Sequence, residues 1–160
     1  DPFNFADALL GVLAQRLARR LCTSCRKARV ATHAELAALL DEYALELTAT
    51  DAWKRNPKAA RESQLREWIA AFGNGNGEIV LYDPVGCDAC NGTGYRGRVG
   101  LHELLVGTDA IKKNIQEHAR VSAMFATALA EGMRTLKQDG IEKVLMGITD
   151  IRQVRSVCIK

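Results

Sequence analysis

The 160-residue sequence predicts a mainly α-helical chain with one small two-stranded β element and a C-terminal bundle of short helices. Three observations lead there. Apolar residues recur at three- and four-residue steps along most of the chain, the period of an amphipathic helix. Thr, Ser and Asn stand where helix starts need a capping oxygen, and glycines stand where helices stop. Two short runs, EIVLY and VGLHELLV, carry the β-branched and aromatic residues of strands and flank a glycine-rich C-x-x-C turn. With 48% apolar and 26% charged residues, the chain is globular rather than disordered.

Each element follows from local signals. Leu9, Leu10, Leu13 and Leu17 give Phe5 to Arg20 a helical period, with Asn4 or Asp7 as the cap. Arg26-Lys27-Ala28-Arg29 reads as a basic turn. Thr32 and Glu35 form a capping box, which predicts a helix from about His33 to Leu47 with Leu36, Leu39, Leu40 and Tyr43 as its stripe. Asn56-Pro57 starts another, carrying Leu65, Trp68, Ile69 and Phe72 and stopping at Gly73. These two helices form a hairpin inserted between the C-x-x-C pairs, followed by a GNGNG loop. Glu78 to Tyr82 is the first strand, turned by Asp83-Pro84. Val99 to Val106 is the second and pairs with it. Four short helices complete the chain: Thr108 to about Gln116, Ser122 to Gly132, the Thr135/Gln138 capping box to Met146 with Gly147 closing, and Thr149 to near Cys158.

Several function classes are excluded. No apolar run approaches the roughly 20 residues needed to cross a bilayer. The arginine-studded first helix is no secretory leader. A formal net charge of +3 is too weak to argue for nucleic acid. There is no G-x-x-x-x-G-K-[ST] loop, no H-E-x-x-H and no local Ser/His/Asp set, so no catalytic or cofactor-binding residue is assigned. The start at Asp1, already inside a helix entry, is expected of a piece of a longer protein.

The chemistry lies in the cysteines. Cys22, Cys25, Cys87 and Cys90 come as two C-x-x-C turns, each able to aim two thiolates at one point, which is what one tetrahedral structural zinc requires. Glycines after Cys90 let the backbone close tightly around it. The β element is accordingly read as zinc-ribbon-like. Ordinary buried thiols, a dithiol redox centre and the C-x-x-C-x-G-x-G repeat of J-type chaperones are the competing readings. Cys158 reads as a packed free thiol and His102 as a hydrogen-bonded strand residue; His33 and His118 receive no role. The run Arg16, Arg19, Arg20, Arg26, Lys27, Arg29 contains no acid. It is either a solvated face or a contact with an anionic partner, for which Arg26, Lys27 and Arg29 are the candidates.

The segments GVLAQRLARRLCTSC, YDPVGCDACNGTGYRGRVGLHELL and EGMRTLKQDGIEKVLMGITDIRQV resemble the C-terminal region of type II secretion and type IV pilus assembly ATPases, the general secretion pathway E family. The resemblance implies a hexameric motor, cytoplasmic and peripheral to the inner membrane, that couples ATP hydrolysis to protein secretion or to pilus or pseudopilus assembly. It would act through an inner-membrane platform protein and neighbouring subunits, with ATP and magnesium bound only in the full-length parent. The zinc ligands map onto Cys22, Cys25, Cys87 and Cys90. Residues 1–21 become a helix at the edge of an ATPase core lying outside the chain, 22–103 a tetracysteine subdomain with the hairpin at about 33–72, and 104–160 the helical bundle. Thr23 stands where the family usually has Pro, and the spacing between the pairs is longer than usual. The other function considered is a zinc-binding chaperone-like or nucleic-acid-binding adaptor.

Overall fold

The computed structural model describes residues 1–158, of which about half are helical. The elements run α1 (Pro2–Ala8), β1 (Gly11–Leu21), β2 (Lys27–Val30), α2 (His33–Ala44), α3 (Asp51–Arg55), α4 (Pro57–Phe72), β3 (Val80–Asp83), β4 (Tyr95–Val106), α5 (Asp109–Gln116), α6 (Val121–Ala130), α7 (Leu136–Leu145) and α8 (Ile151–Val157). Among the described residues the strands form two antiparallel ladders, β1 with β4 and β2 with β3.

The ladders correct the expected β element. Phe5 to Arg20 is not one helix: α1 ends at Ala8 and the chain becomes an eleven-residue strand. Leu, Ala, Gln and Arg are good helix formers, but β4 is twelve residues long and β3 only four. Paired with β3 alone, most of β4 would lack a ladder partner for its backbone groups. Gly11 to Leu21 supplies that partner, from Gly11 opposite Val106 to Leu21 opposite Tyr95. The non-local pairing outweighs the local helical preference. Likewise the expected basic turn contains β2, which pairs from Lys27 opposite Asp83 to Val30 opposite Val80.

The helix starts follow the caps, with two exceptions. Thr32 and Thr135 form capping boxes, and Asn56 and Thr108 accept first-turn N–H bonds. The sixth helix instead begins after Arg120, with no side-chain cap, and Ser122 lies inside it. Asp150, not Thr149, caps α8 by accepting from the Gln153 N–H at 3.0 Å. The buried Thr149 hydroxyl donates to the Arg19 carbonyl at 2.7 Å, tying β1 to the α7–α8 turn. α2 stops at Ala44. A single 3-10 turn (Leu47–Ala49) and the short α3 then lead into α4.

One core draws on both halves of the chain. Leu39, Leu40, Tyr43 and Trp68 from the hairpin pack with Ala18, Leu81, Leu101, Ile141, Val144 and Val154. The Tyr43 and Trp68 rings meet edge to face, with centroids 5.2 Å apart. The buried Gln138 amide donates to the Tyr43 carbonyl at 3.1 Å, and Glu42 pairs with Lys137 and Arg155. The hairpin is therefore part of the core. Burying Leu39 and Leu40 alone contributes about 1.5–3 kcal/mol each, well above the roughly 0.6 kcal/mol per doubling by which a longer loop costs closure entropy.

The ladder also sorts the leucines that suggested a helix. Ala18 and Leu101 face the core, whereas Leu13 lies opposite Leu104 on the outer face and is 61% exposed. Leu101→Ala should lower the unfolding free energy by about 2–5 kcal/mol. Leu13→Ala should lower it by less than about 1 kcal/mol, the scale of an exposed cross-strand pair. Urea unfolding of both variants checks the strand assignment; equal losses would contradict it.

Candidate metal centre

The two C-x-x-C turns occupy equivalent places. Cys22 and Cys25 lie on the link from β1 to β2, and Cys87 and Cys90 on the link from β3 to β4. Where β1 and β4 end, the Cys22 N–H donates to the Gly94 carbonyl at 2.9 Å, extending the ladder into the site. The four Sγ atoms lie within 4.8 Å of one another. Cys22 and Cys87 are 3.8 Å apart, Cys25 and Cys90 3.9 Å, and Cys87 and Cys90 3.8 Å. Disulfides would need about 2.05 Å, and all four cysteines are free. Four thiolates around a tetrahedral ion at about 2.3 Å would stand about 3.8 Å apart. The donor set therefore fits a metal ion of that kind.

The backbone prepares the sulfurs for negative charge. The N–H groups of Cys87 and Gly94 both donate to Cys90 Sγ at 3.2 Å, and the Gly86 N–H donates to Cys25 Sγ at 3.3 Å. Burial pushes the Cys90 thiol up, but the N–H groups of Cys87 and Gly94 and the neighbouring thiols outweigh it and bring the pKa down to about 6. Burial dominates at Cys87, whose pKa rises to about 11. A bound cation favours the thiolate at every position. Gly94 has a positive φ of 82°, and a Cβ there would come within 2.7 Å of Pro84 Cβ. Only glycine brings this N–H to the sulfur without strain.

The basic run beside Cys25 is mostly engaged inside the molecule. Arg29 bridges Asp83 and Glu35, both at 2.6 Å, which joins β2, β3 and α2. Arg26 lies over the Tyr82 ring, 4.1 Å from its centroid, and donates to the Gly147 carbonyl. A side chain at Gly147, whose φ is +78°, would strike the Tyr82 ring at 2.6 Å. Lys27 alone of the three is exposed and has no ion pair among the described residues. His102 is exposed on β4, its N–H donating to Asp139 at 2.8 Å, and it lies outside the sulfur cluster. Cys158 is half-buried and packs against the core.

Local motifs did not reveal what clamps the site to the rest of the chain. The Tyr95 hydroxyl bonds Asp150, and the Leu21 N–H donates to the Ile148 carbonyl at 2.9 Å. With the Arg26–Gly147 bond, these place the α7–α8 turn directly behind the cysteines. Tyr95, next to Gly94, was the one available sequence signal.

Comparison with known proteins places this geometry in context. Residues 1–156 match the family model described as Type II/IV secretion system protein. The chain is similar to the Type IV pilus assembly ATPase PilB of Thermus thermophilus, 36% identical over 96% of this chain and 14% of that protein. It is 34% identical to the Type II secretion system protein E of Dickeya dadantii, over 96% of this chain and 24% of that protein. The Type II secretion system ATPase E of Vibrio cholerae is also 34% identical, over 98% of this chain and 25% of that protein. The chain thus spans at most a quarter of the length of these relatives.

The Arg29 bridge yields a pH-dependent prediction. The Arg29 guanidinium, aided by the Thr32 N–H, brings the Glu35 pKa down to about 2. A carboxylate depressed in the folded state stabilises above its unfolded value of about 4.3 and loses that contribution as pH falls through its folded value. The pair is partly solvent-screened, so Glu35→Gln should cost about 1 kcal/mol at pH 7. The difference from the parent should close between about pH 4.3 and pH 2. Urea unfolding across that range measures it.

Proposed function

Because the chain belongs to the type II/IV secretion system protein family, we propose that it is the zinc-binding C-terminal part of a hexameric ATPase that couples ATP hydrolysis to protein secretion or to assembly of a pilus or pseudopilus. The observation that carries the reading is the convergence of Cys22, Cys25, Cys87 and Cys90 at tetrahedral spacing, in a chain whose relatives are named as secretion and pilus assembly ATPases. The chain contains no phosphate-binding loop, so ATP and magnesium belong to the rest of the parent. No helix among the described residues is long and apolar enough to cross a membrane. This suits a motor on the cytoplasmic face of the inner membrane that acts on a platform protein and on neighbouring subunits.

Four sulfur ligands fill a tetrahedral zinc and leave no position for water or substrate, so the ion's contribution is structural. Cys22 and Cys25 fix the β1–β2 link against the β3–β4 link held by Cys87 and Cys90, which makes the ends of both ladders one rigid strut of a zinc-ribbon kind. The adjoining basic run, Arg26, Lys27 and Arg29, is the candidate contact with the platform protein. Lys27 is its free member, while Arg26 and Arg29 hold the backbone that presents it.

Metal-replete protein should contain one zinc per chain by elemental analysis and show no ATPase activity on its own. Cys22→Ser or Cys90→Ser should abolish stoichiometric zinc and lower stability by several kcal/mol. Amide exchange should then quicken at residues 147–150 as well as at the cysteine turns, because those residues bond Leu21, Arg26 and Tyr95. A chain that takes up no zinc would sink the metal assignment.

A further inference from the structure

The far end of the inserted hairpin carries a surface that neither the metal centre nor the core uses. Where α2, the 3-10 turn, α3 and α4 meet, a hollow of about 430 Å³ opens to solvent. Its floor is apolar: Ala44, Leu45, Trp53 and Pro57. Leu45 is 62% exposed and Trp53 is only half-buried, although Tyr43 of α2 and Trp68 of α4 are each 2% exposed. One rim is fixed by the Arg61–Asp41 ion pair, with Arg61 also donating to the Ala37 carbonyl at 3.2 Å.

Apart from the Arg61–Asp41 pair, the cations beside the hollow are not spent within the fold. Lys54, Arg55 and Lys58 are exposed and make no ion pair among the described residues. Most cations on the neighbouring core elements do: Arg61, Arg134, Lys137, Lys143 and Arg155 are each bonded to a carboxylate. Lys58 also stands in the first turn of α4, which has no acidic residue, although the helix dipole disfavours a cation there. Asp51, Glu62 and Glu67 are the acids on the same two helices, against the five cations Lys54, Arg55, Lys58, Arg61 and Arg66. The hairpin beneath is pinned to the core through Glu42, Tyr43 and Trp68, so the hollow is held in a fixed shape.

We infer that this corner is a docking site for a protein segment bearing one bulky apolar side chain flanked by carboxylates. The apolar side chain fills the hollow against Trp53 and Leu45, and the carboxylates meet Lys54, Arg55 and Lys58. A half-buried tryptophan and an exposed arginine beside a pre-formed hollow are the residue types that dominate binding energy at protein interfaces. A concave apolar floor suits an inserted side chain and not a lipid surface, into which apolar residues must protrude. The inference is independent of zinc and of the motor reading.

The chain contains two tryptophans, so protein labelled with 5-fluorotryptophan gives one 19F resonance from Trp53 and one from Trp68, assigned with Trp53→Phe. The probes are synthetic helical peptides with a single Leu or Phe flanked by four glutamates, the same peptides with glutamine throughout, and phosphatidylglycerol-containing vesicles. The acidic peptides should shift the Trp53 resonance saturably and leave that of Trp68 in place. The glutamine peptides should bind at least tenfold more weakly. Lys54→Glu/Lys58→Glu and Leu45→Asp, with an unmoved Trp68 resonance as the folding control, should each weaken binding by a similar factor. Equal binding of glutamine and glutamate peptides, a Trp53 response to vesicles alone, or no response to any acidic peptide would overturn the proposal.

Discussion

The pairing of β1 with β4 is the constraint on which the rest of the molecule depends. It runs the full length of both strands and ends with Leu21 opposite Tyr95, one residue short of Cys22 and Gly94. The second ladder, β2 with β3, begins at Lys27 opposite Asp83, just past the same turns. Each C-x-x-C link therefore joins a strand of one ladder to a strand of the other. Sixty-five residues separate Cys22 from Cys87 and Cys25 from Cys90, yet two backbone ladders fix their approach from both sides. The sulfurs need not assemble the site unaided; they meet at a junction that the backbone hydrogen bonds of both ladders draw together.

This explains which parts of the fold were legible in the sequence. Capping boxes at Thr32 and Thr135 and the Asn56-Pro57 start are decided by side chains three residues apart, and the structure has all three. The C-x-x-C spacing is equally local, so the four cysteines were readable. The strand nature of residues 11–21 was not. Leu9, Leu10, Leu13 and Leu17 do follow a helical period, and what makes that segment a strand is β4, about eighty residues away. The cap of α8 fails for a related reason: Thr149 has the chemistry of a cap, but its hydroxyl is drawn to the Arg19 carbonyl. Both departures arise where a distant segment competes with a local preference.

The inserted hairpin shows how a fold takes in extra chain. An arm projecting into solvent would add flexible length between the two halves of the site. Here α2 lays Leu39, Leu40 and Tyr43 into the core, and α4 adds Trp68. Arg29 adds a link from β2 through Glu35 to the first turn of α2. The chain between the cysteine pairs is thereby anchored near its start, its middle and its end, and the junction sees a packed element in place of a long loop. What is left free is the corner around Leu45 and Trp53, between the anchors of α2 and those of α4.

The arginines around the site find their place in the same geometry. Arg19 lies directly opposite Arg98 in the ladder, a like-charge pair that destabilises a sheet on its own. Arg20 and Arg96 lie in the irregular stretch of the same ladder, and no carboxylate pairs with any of the four among the described residues. One contact is plain: Arg19 lies 4.8 Å over the Tyr95 ring, worth about 0.5–1 kcal/mol at an exposed position. That contact offsets part of the repulsion and holds Arg19 over the ring whose hydroxyl bonds Asp150, so the crowded end of the ladder is tied to the α7–α8 turn behind the cysteines.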